Sequence, residues 1–77
     1  MNRDQIQQHV AKAHKRPLSI CTSDGHEIKV RHPDFVFFPP KPYDWEFIVF
    51  DGRGRGFEVV DVTAVTRLVY RSPVKSS

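Results

Sequence analysis

Residues 18–31 constrain the fold more than any other stretch. Leu18, Ile20 and Thr22 alternate with smaller or polar residues, and Ile28 and Val30 alternate with Glu27, Lys29 and Arg31. A two-residue period of this kind marks strands with one apolar face. Ser23-Asp24-Gly25 lies between the two runs. A two-residue loop at Asp24-Gly25 pairs Ile20 with Lys29 and Leu18 with Arg31, which mixes the faces. A three-residue loop pairs Ile20 with Ile28 and Leu18 with Val30. Register follows the apolar face, so the sequence predicts the three-residue hairpin. Gly25 then takes the left-handed position of a G1 bulge.

A hairpin alone is marginal in water, so the remaining residues must cover it. Residues 2–15 read as a helix whose apolar stripe is Ile6, Val10 and Ala13. Asn2 is an N-cap with Gln5 in capping-box position. Asp4 in the first turn and Lys12, Lys15 and Arg16 in the last suit the helix dipole. Pro17 ends the helix. After the hairpin, His32-Pro33-Asp34 bends the chain and residues 35–38 form a short strand. Pro39-Pro40-Lys41-Pro42 excludes strand interior and reads as a stiff, extended loop. Residues 43–50 and 57–62 form two further strands, joined by the Gly/Arg turn 51–56. Residues 63–65 give a helical turn and residues 66–71 a last strand, with Leu68 and Tyr70 on one face. The chain reads as a single domain over residues 1–71, with 72–77 a disordered tail. Its fold class is α+β, mainly β: one N-terminal helix and about five antiparallel strands in a strongly bent sheet or small barrel.

With 77 residues, such a domain buries only about 60% of its unfolded surface. The six Phe, two Tyr and one Trp supply much of that burial, at roughly 150–250 Å² each. Two strands are apolar on both sides. In residues 43–50, Trp45, Phe47 and Val49 share one face and Ile48 and Phe50 the other; residues 35–38 are apolar throughout. A sheet with one wet face alternates cleanly. The second face therefore calls for cover from the helix, from barrel closure or from another subunit. The sequence points to self-association as a dimer.

Cys21 is the sole cysteine, which excludes an internal disulfide and suits a cytoplasmic protein. The polar N-terminus has no apolar signal region, and no apolar run spans a bilayer. Four scattered histidines and one cysteine do not make a zinc set. His32, held extended by Pro33, reads as a lock for the bend. Cys21 lies within a strand, where nothing local lowers its pKa. Asp61 reads as a cap for the turn at residues 63–65. No cofactor and no catalytic constellation emerges.

The net charge of +3 is a mild bias towards anionic partners. Asp51-Gly52-Arg53-Gly54-Arg55-Gly56 is the most suggestive segment. Glycines let backbone N–H groups converge on an anion, and two arginines grip phosphates. It lacks the Lys-Ser/Thr ending of a phosphate loop and the spacing of a dinucleotide site. A plain hairpin loop with solvated arginines and a protein contact are the alternatives. Arg53, Arg55, Arg67 and Arg71 are the candidate nucleic-acid or phosphate contacts. Tyr43 and Trp45, after the proline loop, are the candidate protein-contact residues. The first reading is a non-enzymatic protein-interaction module that binds itself or another protein. The second is a nucleic-acid-binding barrel, for RNA or DNA, using the Gly/Arg loop.

Pro17, Asp24-Gly25, Val30-Arg31-His32-Pro33-Asp34-Phe35 and the late Val60-Asp61-Val62-Thr63-Ala64-Val65-Thr66 run span most of the chain. This pattern resembles that of short, uncharacterised bacterial proteins, and the resemblance implies a fold without an activity. The order of helix, bent antiparallel strands, helical turn and last strand also resembles Sm-like and SH3-like small barrels. Sm-type proteins bind RNA bases with an Asp and Asn pair. Pro33-Asp34-Phe35 does not reproduce it, so no RNA-binding residue is carried over.

Overall fold

The computed structural model describes residues 1–70. Arg71 and the expected tail at 72–77 lie outside the described residues. Among those described, one α-helix and six strands form two three-stranded antiparallel sheets. The elements are α1 (Arg3–Val10), β1 (Leu18–Thr22), β2 (Glu27–Val30), β3 (Val36–Phe37), β4 (Glu46–Phe50), β5 (Phe57–Asp61) and β6 (Val65–Tyr70). One sheet has the order β2-β1-β6 and the other β3-β4-β5. Among the described residues no barrel closes: the strand pairings stop at the edges of each sheet. No helix among the described residues is long and apolar enough to cross a membrane.

The first hairpin has the register its apolar face requires. Leu18 faces Val30 and Ile20 faces Ile28. Thr22 N–H donates to the His26 carbonyl at 2.9 Å, and Gly25 N–H donates to the Thr22 carbonyl at 3.0 Å. Gly25 has φ +87°, the left-handed conformation that side chains resist. Asp24 secures the loop, accepting from the Thr22 hydroxyl and from His26 N–H.

The helix is shorter than its apolar stripe suggests. The capping box forms: Asn2 Oδ1 accepts from Gln5 N–H at 2.9 Å, and Gln5 Oε1 accepts from Asn2 N–H at 3.2 Å. After Val10 the α-helix gives way to three-residue turns. Lys12 N–H donates to the His9 carbonyl, Ala13 N–H to that of Val10, and Lys15 N–H to that of Lys12. Residues 11–15 are therefore not α-helix. Tighter turns still bury Ala13 with Ile6 and Val10, and His14 Nδ1 donates to the Ala11 carbonyl at 3.0 Å. Packing of the stripe is kept while the helical ladder is lost.

Prolines shorten the next two strands. Pro33–Phe35 is a 3₁₀ turn, and β3 keeps only Val36 and Phe37 of the expected run 35–38. His32 is the cap of that turn: its Nδ1 accepts from Asp34 N–H at 3.1 Å. The proline loop is not extended. Tyr43 N–H donates to the Pro40 carbonyl at 3.0 Å, folding residues 40–43 into a turn. Strand β4 accordingly begins at Glu46, and Trp45 does not share the buried face of Phe47 and Val49. A second 3₁₀ turn, Val62–Ala64, precedes β6. Asp61 Oδ1 caps it, accepting from Thr63 N–H at 2.8 Å and from the Thr63 hydroxyl at 2.7 Å.

The core lies between the two sheets and α1. Ile6, Val10 and Ala13 meet Leu18, Ile20, Ile28 and Val30 of the first sheet and Phe47, Val49 and Val60 of the second. Phe47 is fully buried, with Phe38 stacked on it at 5.3 Å. Two ties hold α1 in place. Arg3 Nη2 donates to the Pro39 carbonyl at 2.8 Å, and His9 Nδ1 lies 2.5 Å from the Tyr70 hydroxyl.

Candidate functional site

The pairing of β4 with β5 decides which residues share a face. Glu46 stands opposite Asp61, Ile48 opposite Val59, and Phe50 opposite Phe57, while Phe37 of β3 stands beside Ile48. Side chains alternate along a strand. Phe47, Val49 and Val60 therefore point into the core, and the intervening residues point outward. The outer face reads Glu46/Asp61, then Phe37/Ile48/Val59, then Phe50/Phe57. Phe37, Phe50, Phe57 and Val59 are 48%, 42%, 62% and 54% exposed. The Phe50 and Phe57 rings are 5.7 Å apart and tilted. Nothing among the described residues covers this face. Tyr43 and Trp45 are also exposed. They precede β4, and Trp45 lines a groove with Met1, Asp4, Lys41 and Asp44. They sit at the end of the sheet and not on the strand rows of its outer face.

A second feature lies where the 51–56 loop meets β2. The loop turns tightly: Asp51 N–H donates to the Gly56 carbonyl, and Gly54 N–H to that of Asp51. Arg53 N–H donates to the Asp51 carboxylate at 3.2 Å. Gly54 and Gly56 have φ +76° and +133°. The amides of Arg53 and Gly54 are thus spent inside the loop and do not form an anion cradle. The arginine side chains act instead. Arg53 and Arg55 line a cleft of about 380 Å³ together with Lys29 and Arg31, against Phe35, Phe50, Asp51 and Gly52. All four cations are exposed. Among the described residues none of the four has an ion-pair partner. A third of the twelve lysines and arginines of the chain therefore converge on one cleft with one carboxylate, and that carboxylate already accepts from Arg53 N–H.

Of the residues singled out in the sequence, the structure brings Arg53 and Arg55 together and leaves Arg67 apart. Arg67 is on β6, opposite Cys21, and β1 separates β6 from β2. Arg71 lies outside the described residues. Lys29 and Arg31 were not anticipated as site residues. Their outward parity on the hairpin was readable, but no local signal says which loop faces them.

The other chemistry-bearing residues have structural work. His26 Nε2 lies 3.1 Å from Glu58 Oε1, an exposed bridge between the residue just before β2 and strand β5. The Thr22 hydroxyl, then the His26 amide, hold the Asp24 carboxyl below its ordinary range. Thr63 does the same to Asp61 through its hydroxyl and amide. Burial against α1 pushes the Tyr70 phenol up. Cys21 is half-buried and free. No family model, curated protein or solved structure matches the chain.

Proposed function

We propose that this chain is a small, non-enzymatic interaction module that associates with a second copy of itself through the outer face of β3-β4-β5. The observation that carries the reading is the row of exposed Phe37 and Val59 flanking half-buried Ile48, with the adjoining exposed pair Phe50 and Phe57. Together these side chains form a contiguous apolar patch of roughly a few hundred Å², the size of the largest patch on a typical monomer, which is often functional. Burying such a face on its own copy joins apolar surface to apolar surface, as sheets do when they pack face to face. A two-fold axis in the plane of the face and perpendicular to the strands would set the Glu46/Asp61 ends of the two copies at opposite edges, keeping the carboxylates apart. Each copy contributes about half of a standard interface or less, so the dimer is a weak, concentration-dependent one.

An open, strongly bent arrangement of the two sheets, similar to an Sm-like or SH3-like small barrel but not closed, is part of the same proposal. It is supported by the passage from β2 through the Pro33–Phe35 turn into β3, and by the 3₁₀ turn immediately before β6.

Light scattering on a size-exclusion column tests the association. The expected mass rises towards twice 8.9 kDa as concentration increases from about 10 to 500 µM, as mass action requires. Val59→Lys restores the monomer without changing the circular dichroism, because Val59 is exposed. A monomer mass throughout that range overturns the proposal.

A further inference from the structure

We infer that the cleft between the 51–56 loop and β2 is a binding site for single-stranded nucleic acid. Four features select that ligand. Lys29 and Arg31 from one hairpin and Arg53 and Arg55 from another line the same cleft. Their charges lack carboxylate partners among the described residues, so binding a phosphate breaks no ion pair. The loop amides at Arg53 and Gly54 are engaged by Asp51. A compact phosphate recognised through a backbone nest is therefore a poor fit, whereas separate side-chain cations suit successive phosphodiesters. Phe35 and Phe50 give the cleft an aromatic wall, against which an unpaired base stacks. A duplex keeps its bases stacked on each other and gains nothing from that wall.

The site is distinct from the apolar sheet face. Phe50 stands at their boundary, but none of the four cations lies on the strand rows of that face. Loss of one function therefore leaves the other testable.

The experiment is a fluorescence-anisotropy titration of the full chain against labelled twelve-nucleotide oligothymidylate and oligouridylate, with a matched duplex as a second arm. Saturable binding to single strands is expected at low salt. The logarithm of the association constant falls with that of salt concentration, with a slope of about −2 to −3 for three to four phosphates. Replacing both Arg53 and Arg55 with Ala weakens binding at least tenfold and reduces the slope by about 1.4. Lys29→Ala alone reduces it by about 0.7. Arg67→Ala, remote from the cleft, changes affinity less than twofold. The variants are checked by urea unfolding, and these exposed positions leave its midpoint in place. Three results each overturn the inference: no anisotropy change with about 100 µM protein at low salt, tighter binding to the duplex, or an Arg67→Ala defect equal to that of the Arg53/Arg55 double variant.

Discussion

Single residues here are mostly committed to turns. Gly25 has open space around the position a Cβ would take, so substitution meets no clash and costs only backbone strain. Gly25→Ala is expected to lower stability by about 1 kcal/mol, read as a lower urea midpoint at unchanged m-value. Gly52 differs: a Cβ there comes within 3.0 Å of the Phe35 ring, so Gly52→Ala displaces a wall of the cleft and not the turn itself. Asp24 and Asp61 set the acid limit. Both carboxyls are held below the ordinary value of 3.8, Asp24 first by the Thr22 hydroxyl and Asp61 first by the Thr63 hydroxyl. A carboxylate whose pKa falls on folding contributes fully above its unfolded value, and that contribution disappears as pH falls through the folded value. Stability is therefore expected to decline below about pH 3.8, and Asp24→Asn with Asp61→Asn to flatten that decline. Thermal unfolding between pH 2 and 5 measures it; an unchanged slope in the double variant counts against the assignment. Ser19 is buried and its hydroxyl makes no hydrogen bond to any described group. Ser19→Ala is expected to be neutral or to stabilise by about 1 kcal/mol, since it removes an unpaired polar atom.

At the scale of elements, local signals and packing contribute unequally. The α1 cap is local, and Asn2→Ala is expected to cost about 1 kcal/mol, seen by denaturation. Central packing counts for more. Phe47 is fully buried beneath Phe38, and Phe47→Ala is expected to cost about 3–5 kcal/mol. That is a large part of the stability of any small domain, so the cooperative transition should weaken or vanish. The elements that the sequence located well are those whose ends are set by their neighbours in the chain. The first hairpin is fixed by Gly25 and the apolar parity of residues 18–30, the capping box by Asn2 and Gln5, the bend at His32 by Pro33, and the turn before β6 by Asp61. The ends that shifted answer to distant contacts. Residues 11–15 gave up α-helical bonding while Ala13 reached the core. Tyr43, Asp44 and Trp45 left β4 because the chain folds back from Pro40, while the Trp45 carbonyl accepts from Val62 N–H at 2.9 Å.

For the whole molecule, two surfaces carry the functional readings, and they respond to different variables. Association through an apolar face depends on protein concentration. Mass action then requires a melting temperature that rises with concentration in the parent chain and stays constant in Val59→Lys; differential scanning fluorimetry across about a fiftyfold concentration range is the check. Nucleic-acid binding in the cationic cleft depends on salt, while the apolar face is far less sensitive to it. The exposed His26–Glu58 bridge joins the two sheets at their edge, yet a solvated pair of this kind contributes at most about 1 kcal/mol. The sheets are held together by the shared core and not by that bridge.

The sequence by itself determined the strand-rich class, the first hairpin's register and the surplus of apolar side chains on β4. Each follows from interactions between residues near one another in the chain: parity, turn chemistry and capping. Only the tertiary structure decided that Phe37, Val59 and Phe57 lie with Phe50 on one uncovered face, and that Lys29 and Arg31 join Arg53 and Arg55 while Arg67 does not. Those groupings depend on how β2 and the 51–56 loop are set against each other by the core. No residue within either segment carries that information, because the burial of Ile28, Val49 and Val60 that fixes their placement is a property of the assembled sheets.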